Sequence, residues 1–425
     1  MKIAVVGAGI AGLSAAYLLA RRHQVVLFEA HLRPGGHSNT VEVDTGEGTL
    51  AVDTGFIVCN PVNYPNFYAL LDELRVPRQD TDMSLGVSVE DGRVEWAGDE
   101  NLLKIFAQPS LIFSPAHIRM LLAITRFNAE VKKLLAADAL PEITLGEFLE
   151  RGGYPMSLRL RYVAAMAGPI WSSSTAGVMA FPFPAFARFF ESHGLLNVYQ
   201  RPQWQTVVGG SQRYVEALLQ RFEGQVRCAT PVQSLRRSED GGVLLSSRNG
   251  EERFDRVVCA THSDQALRLL ADADVQERAL LGDVPYARNK AWLHTDVSLM
   301  PRRRAVWSSW NALLPEDRLS DAPIGVSYWM NQLQRLPGKT PLIVSLNPPH
   351  DPAEGSVLYQ TEYAHPQYTP ATIAAQAQLP ALQNRRGIVW AGAWTGYGFH
   401  EDGLKSGLRA VAALDRDCLP QWGRL

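Results

Sequence analysis

The sequence predicts an α/β fold with two interleaved domains, one built on a parallel sheet and the other α+β. Three observations carry that reading. An apolar strand, a glycine-rich turn and a helix follow one another from the first residues. A second strand–glycine–helix unit closes the chain. Between them lie a long helical region and several strand-like runs suited to an antiparallel sheet.

The opening unit is the most specific. Ile3 to Val6 is a short, wholly apolar run, as in a parallel strand buried on both faces. Gly7-Ala8-Gly9-Ile10-Ala11-Gly12 follows at once, and Leu13, Ala16, Tyr17 and Ala20 then recur at helical spacing. Gln24 to Phe28 reads as a second strand ending on Glu29 and Ala30. In this order Gly7 permits the tight turn, Gly9 lets a pyrophosphate approach the backbone, and Gly12 lets the helix pack on the sheet. The helix start, at Ile10 and Ala11, turns free N–H groups and a positive dipole end toward the phosphates, and Glu29 can accept from a ribose diol.

A second glycine pair distinguishes the cofactor. Leu32-Arg33-Pro34-Gly35-Gly36-His37-Ser38-Asn39-Thr40 follows the acid, and Asp53-Thr54-Gly55-Phe56 comes after another strand-like stretch. A simple NAD-binding unit has no need of this second close approach. These segments resemble the FAD-dependent amine oxidase, protoporphyrinogen oxidase and phytoene desaturase superfamily. The resemblance implies a Rossmann-like FAD-binding domain interleaved with an α+β substrate domain. It also implies FAD contacts from Gly35, Gly36, His37, Thr54, Gly55 and Phe56, with His37 standing where many members carry arginine.

Further along, Pro65 to Leu74 reads as a helix with Phe67, Leu70, Leu71 and Leu74 on one face. Leu85 to Trp96 reads as a hairpin turning at Asp91-Gly92. From about Asn101 to Ala167 the pattern is helical, with a capping box at Thr144 to Glu147. The basic, apolar stretch Leu102 to Leu135 reads as a solvated amphipathic helix pair, with contact to a membrane surface left open. The phenylalanines between 181 and 190 read as core, with an acyl tunnel as the alternative. Val208-Gly209-Gly210-Ser211 opens another helix; Val226 to Leu235, Val243 to Ser247 and Val257 to Thr261 read as strands. The resemblance returns this part of the chain to the FAD domain and implies that Val232 meets the adenine and Ala260 the pyrophosphate. Ala291 to Val297 and Leu342 to Leu346 read as strands of the substrate domain. The expected boundaries are 1–80, 205–282 and 385–425 for the FAD domain. They are 81–204 and 283–384 for the substrate domain, with its helical part at about 100–200.

Gly387 to Ala391 reads as a last strand, running into Gly392-Ala393-Trp394-Thr395-Gly396-Tyr397-Gly398-Phe399-His400-Glu401-Asp402-Gly403 and then a helix carrying Leu404, Leu408, Val411 and Ala412 on one side. A helix start beside a flavin stabilises the negative charge that builds on reduction. This stretch resembles the superfamily's closing motif, which implies cofactor contacts from Gly392, Phe399, Glu401, Asp402, Gly403 and Leu404. More narrowly, GGHSNT, DTGF, RPQWQTVVGGSQRYVEAL and GYGFHEDGLKSGLRA resemble a bacterial subgroup of NAD/FAD-binding proteins associated with cyclopropane-fatty-acyl-synthase-like methyltransferases. Two departures stand out. Ala393 replaces an acid that many members carry after the glycine, and Phe399 falls near a position of the amine oxidases' aromatic cage.

Composition bounds the rest. The chain has 425 residues, enough for two domains, with 46% hydrophobic and 20% charged residues and a formal net charge of -2. That charge excludes general attraction to nucleic acid. The four cysteines are scattered with no CxxC pair, which argues against a zinc site or disulfide scaffold and suits a cytoplasmic location. Strand residues follow Met1 and Lys2 directly, so no signal peptide is expected. No metal and no transmembrane helix are expected either.

The expected chemistry is hydride transfer from a substrate C–H bond to noncovalent FAD. The substrate expected is a small hydrophobic acyl lipid, with cooperation from a fatty-acyl methyltransferase. An amine oxidase is the alternative; a flavin-dependent isomerase or a non-catalytic binding protein of the same fold stands behind it. Lys290, which strand alternation puts on one face with Trp292 and His294, is the candidate beside flavin N5. His400, Tyr397 and Trp394 are the other catalytic candidates. A plain surface lysine at 290 and pure cofactor contact by His400 remain the simpler alternatives.

Overall fold

The computed structural model describes residues 1–98, 102–197 and 202–425. A five-stranded parallel sheet runs in the order Gln225–Arg227, Gln24–Phe28, Lys2–Val6, Arg256–Cys259, Ile388–Trp390. Alternation along its strands feeds two cores. Ile3, Val5, Val25 and Leu27 face a helical layer that includes Ile10–Leu19 and His400–Leu414. Ala4, Val6, Val26 and Phe28 face the opposite layer. There the antiparallel strands Val232–Arg237, Val243–Ser247 and Gly250–Phe254 contribute Leu235, Val243, Leu245 and Phe254.

The second sheet has seven strands in the order Val357–Pro366, Tyr286–His294, Ile343–Leu346, Gly325–Trp329, Trp310–Leu314, Leu85–Val89, Val94–Gly98. All its pairings are antiparallel except that of Trp310–Leu314 with Leu85–Val89. A helical layer drawn from residues 102–192 packs on it through Phe127, Phe148, Phe183, Phe186 and Phe190. Fold class is therefore as the sequence predicts: a parallel nucleotide-type sheet interleaved with a mixed-sheet unit.

Several elements match closely and some do not. The Pro65–Leu74 helix, the hairpin at Asp91-Gly92 and the Thr144–Glu147 capping box all form. Asn101, the expected start of the helical region, lies outside the described residues; helix is present from Leu102. The single strand expected over Val226 to Leu235 is two, in different sheets. The chain turns through Ala229 at φ 48°, and Thr230 N–H donates to the Glu29 carbonyl at 2.8 Å. The strand expected at Ala291 to Val297 starts earlier, at Tyr286, and stops at His294. Asp296 then caps a short 3-10 turn that takes up Val297.

Asp53, at the end of the Thr49–Asp53 strand, links three elements that are far apart in sequence. Its carboxylate accepts from Thr40 Oγ1 at 2.6 Å, from Ser211 N at 2.9 Å, from Ser211 Oγ at 2.8 Å and from Gln334 Nε2 at 3.2 Å. Burial pushes its pKa up to about 6, with the Thr40 and Ser211 hydrogen bonds pulling the other way. Removing it strands several buried donors, each worth on the order of 1–3 kcal/mol. Asp53→Ala should therefore lower stability by about 3 kcal/mol or more in a denaturant titration. A loss below about 1 kcal/mol would show that the network is not a tie between the elements.

Candidate functional site

The strand-to-helix turn sits at the carboxyl end of the parallel sheet, where ligands bind in such folds. Gly7 N–H donates to the Phe28 carbonyl at 2.9 Å and Gly35 N–H to the Ala8 carbonyl at 2.7 Å, which brings the two glycine segments together. Glu29 is buried; its Oε2 accepts from Ala8 N at 2.9 Å and its Oε1 from His31 N at 2.9 Å. Thr54 and Phe56 donate from their backbones to Asn39 and His37 at 2.9 and 2.8 Å, so Thr54-Gly55-Phe56 runs beside Gly36-His37.

Two glycines show different constraints. A Cβ on Gly12 would collide with the Gly7 carbonyl oxygen, so the turn closes only without one. Gly9 is different: its φ of -75° and ψ of 179° suit any residue, yet a Cβ there would meet no atom of the described residues within 4 Å. The space is open, and the first turn of the Ile10–Leu19 helix behind it has neither a side-chain cap nor an acidic residue. Such a helix start is an anion site in waiting. His37 adds a second sign, because its buried Nε2 has no hydrogen-bond partner among the described residues while its ring stacks on Tyr363 at 4.8 Å. Burial holds its pKa well below the ordinary histidine value, with His365 adding to the shift. The open cradle at Gly9, the helix start, Glu29 and the orphaned His37 nitrogen together fit a dinucleotide.

From Thr54, Gly55 and Phe56 a cavity of about 1010 Å³ extends into the second domain. Tyr363, His365, Phe399, Phe189 and His193 line it, and farther along so do Trp96, Trp310, Ile105, Leu121 and Ile124. His365 Nδ1 lies 2.8 Å from Ser172 Oγ, and burial pulls the ring's pKa down to about 4, so it is neutral near pH 7. Tyr363 OH lies 2.9 Å from Thr54 Oγ1 and accepts from Asn39 Nδ2 at 2.9 Å. Sequence reasoning missed this group. Tyr359, Tyr363 and His365 alternate on the Val357–Pro366 strand, and that period of two was the available signal.

The catalytic candidates fare differently. Lys290 is 60% exposed, lies 3.9 Å from Asp351, and lines a separate depression rather than the cavity. Trp292 and His294 share its face by alternation, but that face is not the cavity wall. His400 does not line the cavity either. Its ring lies 3.8 Å from Phe56 in a parallel stack, edge-on to Phe67, with Nε2 at 2.9 Å from Tyr214 OH. Trp394 is buried and donates from Nε1 to the Thr261 carbonyl at 3.1 Å, a packing role. Tyr397 packs against Phe189 and Tyr368 and is not among the cavity-lining residues.

In the closing helix the acidic side chains are taken up within the chain. Glu401 turns away from the cavity and accepts from Asn66 N and Phe67 N, both at 3.0 Å, capping the Pro65–Leu74 helix. Asp402 accepts from Tyr397 N at 3.0 Å and Phe399 N at 3.1 Å, holding its own turn. Leu404 is core, and Gly403 lies against Ile10. The two carboxylates of this first turn thus serve the Pro65–Leu74 helix and the turn at 397–399. Gly392, with Ser406 Oγ accepting its N–H at 2.8 Å, and Ala260, whose carbonyl backs Gly7, hold the floor of the turn. Val232 is half-buried at the start of the meander, and Ala30 is exposed just past Glu29. Outside the site, His23, Asp415 and Cys418 bring three donor atoms within 4.8 Å of one another, but Asp415 is already paired with His23 and Arg22.

The sequence pattern of the flavin-containing amine oxidoreductase family matches residues 10–355. The chain belongs to that family. It is 27% identical over 271 residues to a proposed flavin-containing monoamine oxidase, AofH, of Mycobacterium tuberculosis. That match covers 61% of the chain and 56% of the relative, so it spans just over half the relative's length. In structure it is similar to a CLA-producing fatty acid isomerase from P. acnes (TM-score 0.68, 14% identity, 97% of this chain and 98% of that one). It is similar also to putrescine oxidase bound to putrescine (TM-score 0.66, 15% identity, 97% and 98%). Cyclohexylamine oxidase from Brevibacterium oxydans IH-35A gives a TM-score of 0.64 at 16% identity over 97% and 98% of the two chains. The cofactor is FAD, and the open cradle and orphaned donor described above are where this chain would hold it.

Two predictions follow from the geometry. Gly9→Val should fold with the melting temperature of the flavin-stripped wild type yet lose roughly tenfold or more in FAD affinity, about 1.4 kcal/mol or more. Gly12→Val should fail to fold, and equal behaviour of the two variants would refute the assignment of the open space to the cofactor. Burial also pulls the His400 pKa down to about 3, below the ordinary value near 6.5. The unfolded chain then binds the extra proton between those limits, so the His400 contribution is intact above about pH 6.5 and lost as pH falls. The stability advantage of wild type over His400→Phe should shrink by about 1.4 kcal/mol per pH unit below that point. A gap that does not change with pH would mean the ring is not held neutral.

Proposed function

We propose that this oxidoreductase dehydrogenates a hydrophobic acyl chain. The observation that carries the reading is the cavity of about 1010 Å³, which begins at Gly55, Phe56, Tyr363 and Phe399 and continues between apolar walls into the helical layer. Its volume is at the upper end of the roughly 300–1,000 Å³ usual for small-molecule sites, and length along apolar walls suits a flexible chain. Bound FAD would supply a two-electron acceptor for a hydride from a substrate C–H bond, with oxygen as the final acceptor yielding hydrogen peroxide; loss of a proton from the neighbouring carbon would complete a C=C bond.

The chain's own residues bind and orient the substrate. Phe399 and Phe189, with ring centres 4.9 Å apart, form one wall, and Trp96, Trp310 and Ile124 continue it. His365 is neutral, lines the cavity and is oriented by Ser172, which makes it the candidate acceptor for the departing proton.

Amine oxidation is the second reading, favoured by the likeness to AofH. It expects a lysine beside the flavin, and Lys290 is exposed in a different depression. Of the two acids at the cavity, Asp80 is exposed, and Asp82 already accepts from Ser84 N at 2.6 Å and Ser309 Oγ at 3.2 Å.

An anaerobic titration of the flavin absorbance near ~450 nm separates the readings. Unsaturated, methylated and cyclopropane fatty acids should bleach the band, while simple amines should not. Bleaching by amines alone would replace the acyl reading with the second one. Movement of an acyl double bond only when the flavin is pre-reduced would identify an isomerase instead.

A further inference from the structure

The helical layer over the cavity has an unusual surface. Its inner face carries Leu111, Met120, Ile124 and Phe127, all buried in the core of the second domain. A helix with one such face ordinarily turns polar residues to solvent. Here the outer face is apolar as well. Phe113 is 86% exposed, Leu122 68%, Leu102 66% and Ile112 53%, and Ile118 lies between them on the Pro115–Ala136 helix. Such a run exceeds the scattered apolar residues of an ordinary surface and marks an interaction site.

Charge identifies the partner. Between residues 102 and 129 the sequence holds Lys104, Arg119 and Arg126 and no aspartate or glutamate. Arg119 and Arg126 are exposed on the same helix as Ile118 and Leu122, each one turn from Leu122. Exposed leucine, isoleucine and phenylalanine flanked by cations suit the interface of an anionic bilayer, where rings and aliphatic chains enter the headgroup layer and cations meet phosphates. A protein partner would more commonly be met by apolar residues with a rim of mixed sign.

The cavity joins this face. Leu102 and Thr125 are exposed and also line it, and Leu121 lines it while its neighbour Leu122 points to solvent. We propose that the outer face of residues 102–126 docks on an anionic phospholipid bilayer, so that acyl chains pass from the membrane into the cavity without crossing water. The docking stands on the surface alone; the passage of acyl chains rests on the acyl reading of the cavity.

Flotation of the FAD-loaded protein with vesicles tests it. Vesicles of equal parts phosphatidylglycerol and phosphatidylcholine should carry the wild type, pure phosphatidylcholine far less, and added salt should weaken the binding. The Phe113→Glu/Leu122→Glu variant should lose at least tenfold in vesicle affinity while keeping its flavin and its circular dichroism. Arg119→Glu, at an exposed site, gives a second and milder loss should the double variant fold poorly. Wild type that stays off anionic vesicles, or variants that bind as well as wild type, would overturn the proposal. So would light scattering that shows a wild-type dimer turned monomeric by the same substitutions, since the face would then be a contact between copies. Vesicle binding without flavin bleaching by any acyl chain would leave docking in place and remove the acyl reading; bleaching by detergent-dispersed fatty acids without vesicle binding would do the reverse.

Discussion

The constraint on which the rest depends is close backbone approach at the turn after the first strand. Gly7, Gly12 and the Ala260 carbonyl are packed so tightly that side chains are excluded, and the closing helix comes equally near. A Cβ on Gly407 would press on Ser14 and on the Ala11 carbonyl, 2.6 Å away. The two ends of the chain therefore meet across nearly its full length. Once they meet, the parallel sheet, the helix start facing open space and the floor at Gly392 follow from the same contact.

Polar groups then fix what apolar packing leaves free. Asp53 ties the end of a strand to Ser211 and to Gln334, and Glu401 ties the closing helix to the start of the Pro65–Leu74 helix. Burying carboxylates is expensive unless their oxygens are satisfied. Both are satisfied by donors distant in sequence, so each holds one arrangement of the interleaved segments. The ladder Ser38–Tyr214–His400 serves the same end, with hydroxyl and ring separations of 2.6 and 2.9 Å. Glu401 and His400, which look catalytic by type, pack within this frame, while Phe399, Tyr363 and His365 are among the residues lining the cavity.

The opening and closing glycine segments were legible because close approach demands one residue type at fixed spacing. The parallel strands were legible for a similar reason, since burial on both faces leaves an uninterrupted apolar run. Roles set by distant partners were not legible. Nothing near Glu401 indicates that its acceptors point at Asn66, 335 residues away. Alternation correctly grouped Lys290 with Trp292 and His294 but could not say which face of the sheet borders the cavity. The short strands at Val58–Cys59, Arg78–Thr81 and Trp204–Val207 escaped notice because they pair only with one another and are too short to show a period. The outer face of residues 102–126 was visible as apolar and basic, yet its exposure became evident only when the inner face was accounted for.

We infer that the open space at Gly9 would hold FAD, and that Gly55, Phe56, Tyr363 and Phe399 mark the end of the cavity where substrate would meet it. A crystal structure of the FAD-loaded protein with a long-chain fatty acid tests this directly. Density is expected for the pyrophosphate beside Gly9 and the Ile10 helix start, with the ring facing His365 and the acyl chain running toward Ile124. A ring on the Lys290 side of the sheet, or a cavity that stays empty while the fatty acid binds elsewhere, would contradict it.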